Sequence, residues 1–448
     1  MPLPSATPTS INELVTLLAQ RLGIILPGDY WTAAELTYLI RNAIREFQCL
    51  TGYWRSRLSF TTAADVPFYD LHRLGVIPLT VTDNDILAQV GYALLEYADV
   101  SPFINTGQFS IGNVAAALGE QIDHILGETH LVLTDSEFPV GPPPPAGRFT
   151  LATSVLQIHR MDWMDAISKL WTLLNRTDDI QAYGFLNAWT QNPGLPEGYM
   201  ESATPPLQVD LIPPPINEGA PSMLVTVSQC YTGLGVSPTI MNLPDDVTWA
   251  LVWATLASVL RQDTQSRDYQ RAEYCERRLN GALQLFRSLP CVLQAWPLGL
   301  QCEPSTLFGL DHWQHGWRNQ TPGAPQVVAV GGRNILAVSP VSDKPYTIAI
   351  DAIGNSPGTG SASTNFSVTA DIVTALLNNA QHTACFKLAG TEFLGTMGLY
   401  QQFLSVAQSY SLRRLAEVID WEALKGVTML ENLERPYEVQ HEEEEAVA

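Results

Sequence analysis

Hydrophobic residues recur at helical spacing near the start of the chain, where polar residues mark the beginnings of two helices. Ser10 followed by Glu13, and Thr32 followed by Glu35, are spaced as capping boxes, in which a hydroxyl and a carboxylate bind amide groups that the first helical turn leaves unpaired. An apolar face follows the second signal, formed by Leu36, Leu39, Ile40, Ala43, Ile44 and Phe47. The pattern predicts two helices, the second of which ends at Gly52.

The segment from Leu243 to Phe286 changes abruptly from apolar to charged. Asp245 and Asp246 precede its apolar half, where negative charge favours the start of a helix. The apolar half then carries a stripe of large side chains, whose predicted core organisers are Trp249, Trp253, Leu256 and Leu260. Full burial stabilises the fold by about 1.5–3 kcal/mol for each such side chain, so this helix is predicted to organise a core.

The charged half of this segment predicts a second helix with paired charges on one face. Asp268 and Arg271 are three residues apart, and Glu273 and Arg277 are four apart. Exposed pairs of this kind contribute only about 0–1 kcal/mol each. Such a face therefore meets either solvent or a partner surface.

The middle of the chain alternates apolar and polar residues with a period of two, which is typical of strands. Such runs occur at 149–156 and 207–211, and a proline-rich stretch separates the second run from 224–227, which predicts a hairpin with a long loop. Helical patterns interrupt the strands at 85–98 and 113–126, and Thr177 with Asp178 predicts a further helix start. This region is predicted to be a β-rich unit decorated by helices.

These patterns predict an α+β fold, with a helical core, a β-rich, sandwich-like domain and a smaller second β patch. The predicted segments are N-terminal helices (1–57), a β-rich domain with helical excursions (58–230), a central helix pair (231–290), a loop rich in Trp, Pro and Gly with the second β patch (291–369), C-terminal helices (370–436) and an acidic disordered tail (437–448).

Composition narrows the class of protein. A chain of 448 residues that is 46% hydrophobic is expected to form two or three packed units. The 45 acidic residues against 24 basic ones give a net charge of -21, which disfavours nonspecific attraction to nucleic acid or to an anionic membrane. The six cysteines form no C-x-x-C pair, which favours reduced, packed thiols. No signal peptide or bilayer-length apolar run is present, so a protein made in the cytoplasm and not bound to a membrane is expected.

Motifs for catalysis or cofactor binding do not emerge from the sequence. No phosphate-binding glycine loop, nucleophile elbow or H-E-x-x-H pattern is present. His312 and His315 could form half of a metal site, but no neighbouring ligand spacing completes it. We therefore expect no enzyme activity, no cofactor and no metal. Aromatic loops that include Trp54, Trp313 and Trp317 instead resemble the hot spots of protein–protein contacts.

Four stretches of the sequence resemble structural proteins of tailed bacteriophages, of the head-to-tail connector or neck class. The first is "AELTYLIRNAIREFQCLTGYWRSRLSFTT", and the second is "GLPEGYMESATPPLQVDLIPPPINEGAPSMLVTVSQCY". The third contains the apolar and charged helices that begin at "LPDDVTWALVWATL". The fourth comprises "VGGRNILAVSP" and "NAQHTACFKLAGTEFLGTMGLYQQFLSVAQSYSLRRL". Together these stretches cover roughly half of the chain, while the excursion at 87–129 has no counterpart.

The resemblance implies a non-enzymatic virion subunit at the phage neck, synthesised in the host cytoplasm. It implies a ring of identical copies, with the portal's twelve-fold symmetry, that joins the portal protein to the tail or to other neck proteins. In such a ring one face of each subunit meets a different face of its neighbour. The residues expected at contacts between subunits or partners are Arg271, Arg277, Arg278, Glu273, Trp54, Trp313 and Trp317.

The acid excess adds an expectation about DNA. A ring whose inner wall does not bind phosphate would let the genomic DNA pass through its lumen without specific binding. Two alternatives to the neck ring remain at this stage. One is a tail, baseplate or fibre-attachment subunit, and the other is a particle-borne protein that binds glycans or hydrolyses the cell wall.

Overall fold

Helices and strands alternate along the chain in the computed structural model, which has the α+β class that the sequence predicts. The structure describes residues 7–25, 30–74, 79–94, 109–139, 147–165, 168–185, 192–202, 206–216, 222–230, 241, 243–262, 268–289, 292–302, 304–353 and 356–411. The predicted acidic tail at 437–448 and the last part of the predicted C-terminal helices lie outside these residues.

A helical core gathers segments from both ends and from the middle of the chain. Its helices are α1 (Ile11–Arg21), α2 (Ala33–Thr51), α3 (Asp83–Leu94), α4 (Ile111–Thr129), α6 (Trp249–Arg261), α7 (Tyr269–Ser288), α9 (Ala370–Cys385), α10 (Gly390–Leu394) and α11 (Met397–Tyr410). One apolar cluster joins them, and it contains residues from Ile11 to Ala407. A two-stranded ribbon, β1 (Thr7–Thr9) with β17 (Phe366–Val368), ties the first helix to the last three.

The predicted helix ends are mostly confirmed. Ser10 and Glu13 form the reciprocal capping box, with donor–acceptor distances of 3.3 and 3.0 Å. Thr32 accepts the amide of Glu35 at 3.1 Å, but the Glu35 carboxylate lies 2.9 Å from Lys387 instead of closing the box. Gly52 ends α2 with φ +57°, a left-handed conformation that glycine adopts without a steric penalty.

Asp245 and Asp246 lie directly before α6, as the sequence predicts, in a short 3-10 turn, Asp245–Val247, and both are buried. Their carboxylates bind other segments instead of capping α6. The Asp245 carboxylate accepts the amides of Thr80 and Val81 at 2.7 and 3.0 Å, and Asp246 accepts hydrogen bonds from Ser356. The two carboxylates therefore join the start of α6 to distant segments, because buried backbone donors need partners.

The first sandwich is built from the middle of the chain. Its strands are β4 (Thr134–Pro139), β5 (Arg148–Thr150), β6 (Val155–Met164), β7 (Trp171–Leu173), β8 (Asn175–Arg176), β9 (Gly198–Glu201), β10 (Gln208–Ile212) and β11 (Ser222–Gln229), and α5 (Asp179–Phe185) follows β8. They form two four-stranded sheets in the orders β5-β10-β9-β8 and β4-β11-β6-β7, which share one apolar cluster.

The predicted hairpin between residues 207–211 and 224–227 is wrong. β10 pairs with β5 and β9, whereas β11 pairs with β4 and β6 in the facing sheet. Val209 and Val225 meet in the shared cluster from opposite sheets. Prolines between the strands lack amide hydrogens, so the chain leaves the first sheet there and crosses to the second.

The second sandwich combines an early segment with a late one. Its strands are β2 (Arg55–Thr61), β3 (Phe68–Asp70), β12 (Val292–Pro297), β13 (Ser305–Thr306), β14 (Val327–Gly331), β15 (Ile335–Ser339) and β16 (Thr347–Ile353), and α8 (Leu307–Trp313) follows β13. The sheet orders are β12-β16-β2 and β13-β14-β15-β3, and one apolar cluster lies between them. The sequence predicted only a loop where β12, β13 and α8 occur.

The helical excursions also lie elsewhere than predicted. Val90 of α3 and Ile122 of α4 are buried in the cluster of the helical core, so these helices belong to that core, although α4 also contacts β6 and β11 of the first sandwich. The helical core and the second sandwich are consequently discontinuous in sequence, and the units divide the predicted segments 1–57, 58–230 and 291–369 differently.

Candidate functional site

The four predicted core organisers are all buried on α6. Their exposed fractions are 3% for Trp249, 4% for Trp253, 1% for Leu256 and 0% for Leu260. The Trp253 ring meets the rings of Tyr274 and Phe386 edge to face, at centroid distances of 5.5 and 5.3 Å. This geometry favours aromatic pairs, so α6 is the centre against which α7 and the turn at Phe386–Leu388 pack.

A buried polar network lies beside α6. The Glu46 carboxylate accepts hydrogen bonds from Arg278 at 2.7 Å and from Tyr400 at 2.9 Å. Arg278 also donates to the Tyr274 hydroxyl at 2.8 Å, and its guanidinium lies 4.1 and 4.6 Å from the ring centres of Tyr400 and Trp253. Burial raises the pKa of Tyr274 to about 12. Burial opposes the charge on Arg278, but Glu46 more than offsets this, and the pKa of Arg278 is raised.

Arg278 is therefore not a contact residue, and that prediction is corrected. Only 4% of the residue is exposed, because its charge is satisfied by Glu46 and its ring contacts inside the chain. The spacing of charges along α7 identified its polar positions but could not distinguish the buried Arg278 from the exposed positions. Arg278 supports the packing of α2, α7 and α11.

The remaining charged residues predicted on α7 are partly exposed and already paired. Arg271 lies 2.7 Å from Asp268, which is also the N-cap of α7, and Arg277 binds Glu273. Because each arginine has a carboxylate partner on its own helix, this face offers a neighbour little unpaired charge.

The three aromatic residues predicted at contacts have different environments. Trp317 is 1% exposed, and its indole donates to Asp311 at 2.8 Å, so it is an internal residue of the second sandwich and not a contact residue. Trp54 is half-buried at the end of α2, 5.2 Å from the ring of Tyr53. Trp313 is 81% exposed.

Trp313 is part of an exposed group on α8 that we call the aromatic knob, formed by Phe308, His312 and Trp313. Phe308 is 80% exposed, and its ring is parallel to that of His312 at a centroid distance of 6.1 Å. The His312 ring in turn meets Trp313 edge to face at 5.2 Å. The Thr306 hydroxyl caps the helix by accepting the amide of Gly309 at 3.0 Å. A short, capped helix thus presents two large aromatic side chains to solvent.

The helical core contains a small, partly open cavity of about 40 Å³, which we call the core pocket. Helices α2, α3, α6 and α9 and the turn after α9 surround it. Its apolar wall includes Leu39, Ala43, Ala93, Val252, Leu256 and Phe386. A cavity of this size has room for a few water molecules and not for a drug-sized ligand.

Polar residues also line the core pocket, and they include Glu35, Asn379 and Lys387 as well as Asn42, Gln89 and Thr383. Glu35 and Lys387 form a buried ion pair at 2.9 Å. Burial raises the pKa of Glu35 and lowers that of Lys387, and each partner opposes the shift of the other. Asn379 donates from Nδ2 to Glu46 at 2.8 Å, which fixes the orientation of its amide, while its Oδ1 accepts no hydrogen bond from the described residues.

Buried charges also join the two sandwiches. Asp162 of β6 lies 2.9 Å from both Arg160 and Arg318, and Arg160 lies 3.0 Å from Asp311 of α8. The Arg318 guanidinium stacks 3.8 Å from the centre of the Trp171 ring. Burial lowers the pKa of Arg318 to about 10 even with Asp162 beside it. The network fixes α8, and with it the aromatic knob, relative to the first sandwich.

Two histidines meet edge to face where α4 contacts the first sandwich. The rings of His130 and His159 are 4.0 Å apart, and His159 Nε2 lies 2.9 Å from the Ser228 hydroxyl. Burial, with a smaller effect of His130, lowers the pKa of His159 to about 4. Both imidazoles are therefore neutral at pH 7.

Sequence reasoning missed the core pocket and the Glu46 network. A signal was present in α9, where Asn379 and His382 share a helix face with the buried Ala375. Polar residues on a face that also carries buried apolar ones indicate internal hydrogen bonds. Their partners, such as Glu46 and Tyr400, come from distant segments that periodicity cannot relate.

No protein-family model matches the chain, and no curated protein matches it. Within the described ranges, no helix combines the length and apolar character needed to cross a membrane. Among the same residues, no group of three or more His, Cys, Asp or Glu side chains is arranged to hold a metal ion, and this includes the surroundings of His312 and His315.

Proposed function

We propose that the chain is a non-enzymatic structural subunit of a tailed-phage virion, located at the neck. Copies form a ring that joins the portal to the tail, with the genomic DNA passing through the lumen. The observation that carries the proposal is the aromatic knob, where α8 holds Phe308 and Trp313 at least 80% exposed. Large exposed aromatic side chains are costly in water and are the residues that dominate protein–protein contacts.

The resemblance of the sequence to neck proteins supports this class of assembly. The net charge of the chain is compatible with a position around the DNA channel. A net charge of -21 repels the phosphates of DNA, as suits a channel through which DNA moves. The cap of α8 and the buried charges beside it hold the knob rigidly, which lowers the entropy lost when a partner binds.

Sedimentation velocity and negative-stain images of the purified chain, alone and with portal protein, test the proposal. We expect closed rings of a single copy number that matches the portal. A monomer at every concentration, with or without portal, would contradict the proposal. Trimers or hexamers would favour a tail, baseplate or fibre-attachment subunit instead. Ile180→Ser changes an apolar residue on α5 instead of α8, and Ile180 is 85% exposed. This control variant should form the same rings as the natural chain.

A further inference from the structure

We infer that the acidic tail, residues 437–448, docks in a cleft of its own chain where the helical core and the two sandwiches meet. The cleft has a volume of about 970 Å³. We call it the arginine cleft, because it is lined by Arg160, Arg176, Arg287 and Arg333. The inference concerns contacts within one chain, so it does not depend on the proposed ring.

The arginine cleft differs in charge from the chain as a whole. Its described lining contains four arginines and a single carboxylate, that of Asp311. The chain itself has 45 acidic residues against 24 basic ones. A concave basic site in an acidic molecule is complementary to an acidic segment, because a cleft lined by one sign of charge concentrates its field.

Arg333 gives the strongest reason to expect an anion in the cleft. Only 4% of the residue is exposed, and its Nε and Nη1 donors find no acceptor among the described residues. The buried Asp246 attracts this charge, but it accepts its hydrogen bonds from Ser356. A buried cation with unsatisfied donors is costly, so a negative charge in the cleft would stabilise Arg333.

Arg176 and Arg287 can bind further carboxylates. Their present partners are Glu201 and Glu128, neither of which lines the cleft. More than half of each arginine side chain is exposed, 57% for Arg176 and 54% for Arg287. Exposed pairs contribute only about 0–1 kcal/mol, so an incoming carboxylate can compete for either guanidinium.

The acidic tail has the chemistry that the cleft requires. Four consecutive glutamates occupy positions 442–445, and Tyr437 and Val439 precede them. Arginine binds carboxylates through parallel N–H donors, which makes these pairs strong and directional. Phe308 lines the cleft and is 80% exposed, so its ring offers an aromatic contact to Tyr437.

Attachment to the same chain favours the tail over other anions. Tyr437 is 26 positions after Ser411, the last described residue, and an extended segment of this length spans about 90 Å. A globular chain of this size has a radius of gyration of about 22 Å, so the tail can reach the cleft. Linkage also raises the local concentration of the tail to about the millimolar range. DNA, in contrast, is repelled by the acid excess of the chain.

Peptide binding tests the inference with the whole chain. The probe is a fluorescent peptide with the sequence of residues 437–448, YEVQHEEEEAVA, and its anisotropy reports binding. One variant, called the glutamine-tail variant, combines Glu442→Gln, Glu443→Gln, Glu444→Gln and Glu445→Gln. Below the concentration at which copies associate, this variant should bind the peptide at least about tenfold more tightly than the natural chain, whose own tail competes.

Substitutions at the cleft identify where the peptide binds. In the glutamine-tail variant, Arg176→Gln and Arg287→Gln should each weaken peptide binding by about two- to fivefold, the effect of losing one exposed ion pair. Arg148→Gln is the matched control. The Arg148 side chain is 56% exposed and pairs with Asp210 of a neighbouring strand, but it does not line the cleft. All three variants should keep the thermal unfolding midpoint of the natural chain to within a few degrees.

Several outcomes would overturn the inference. The tail does not occupy the cleft if the peptide binds the natural chain and the glutamine-tail variant equally well, or if it binds neither. Weakening by Arg148→Gln as large as that by Arg176→Gln would show that the peptide binds elsewhere. A peptide with Gln at 442–445 that binds as tightly would remove charge from the explanation.

Two further outcomes would assign the cleft to a different occupant. Peptide binding that the natural chain shows as a monomer and loses on assembly would indicate the tail of a neighbouring copy. A single-stranded oligothymidylate that binds the natural chain, and that the peptide does not displace, would indicate nucleic acid. None of these results bears on whether rings form, so the proposed function is tested separately.

Discussion

At the scale of single residues, the buried pair of Glu46 and Arg278 is the most consequential contact in the helical core. Both side chains are less than 5% exposed and lie 2.7 Å apart. Removing one partner leaves an uncompensated charge, whereas replacing both with apolar residues is often tolerated. We expect Arg278→Met to lower the free energy of unfolding by about 3–5 kcal/mol.

Urea unfolding of three variants tests this expectation. Glu46→Leu should be as damaging as Arg278→Met, and the double variant should recover much of the loss. A single substitution that costs less than about 1 kcal/mol would show that water reaches the pair. Arg277→Met is the matched control, since Arg277 is on the same helix but partly exposed, and its loss should cost no more than about 1 kcal/mol.

His159 should make stability depend on pH. The unfolded imidazole binds a proton below about pH 6.5. The folded one has a pKa of about 4 because it is buried. Between these values the unfolded state holds more protons, so the free energy of unfolding falls as the pH is lowered from 6.5 to 4. A shift of this size corresponds to about 3 kcal/mol over the whole window.

The contribution of His159 is measured as a difference, because other groups titrate nearby. Burial raises the pKa of Glu35 and of Asp246, and these carboxyls change the stability with the opposite sign. Chemical unfolding of the natural chain and of His159→Gln at pH 7, 5.5 and 4 isolates the imidazole. If the free energy of unfolding falls equally with pH in the two proteins, His159 is not a neutral, buried imidazole.

At the scale of elements, the cap of α7 shows how one side chain fixes a helix start. Asp268 accepts the amide of Arg271 at 3.0 Å and the guanidinium of the same residue at 2.7 Å. Asp268→Ala should lower the free energy of unfolding by about 1 kcal/mol, because the first turn of α7 loses its acceptor. Asp268→Asn keeps an acceptor and should cost at most about half as much. Equal losses, measured by urea unfolding, would mean that the ion pair matters and the cap does not.

The turn between β14 and β15 depends on a glycine for two separate reasons. Gly332 has φ +56°, and a Cβ atom there would lie 2.8 Å from the carbonyl oxygen of His130. Gly332→Ala should therefore destabilise the chain by at least about 2 kcal/mol, since strain and a clash with backbone add together. Gly23 provides the control, because it has φ +69° with nothing within 4 Å of a Cβ. Gly23→Ala should cost only about 1 kcal/mol. If both variants lower the thermal unfolding midpoint by similar amounts, the clash with the His130 carbonyl oxygen does not contribute.

How far the elements could be predicted depended on whether their signals were local. The capping residue Ser10 and the terminator Gly52 interact within one turn of their own helices, so sequence spacing revealed them. Asp268 was predicted only as the partner of Arg271, and its role as the cap of α7 was missed. β10 and β11 looked like a hairpin because they are adjacent in sequence, but their partners lie in two different sheets. β12 escaped prediction for two reasons. Its stability comes from pairing with β16, about 55 residues later, and β12 itself lies in a stretch rich in Trp, Pro and Gly that resembles a loop.

At the scale of the whole molecule, two of the three units use segments that are far apart in sequence, whereas the first sandwich is one continuous stretch. The helical core joins Ile11 to Ala407, and the second sandwich pairs β2 with β16. The aromatic knob is local, because its side chains all lie on α8, whereas the core pocket required four distant helices to be brought together. The sequence named Trp313 and Trp317 on the same grounds, and only the fold distinguishes the exposed Trp313 from the buried Trp317.

Salt should strengthen the association of copies. Each copy carries a net charge of -21, and the exposed Phe308 and Trp313 add no ionic attraction across a contact. Salt screens the repulsion, since the Debye length falls from about 30 Å at 0.01 M to about 10 Å at 0.1 M. Sedimentation velocity in increasing sodium chloride should therefore show rings at progressively lower protein concentrations. Assembly that weakens with salt would instead place the exposed face of α7, with Arg271, Glu273 and Arg277, at the boundary between copies.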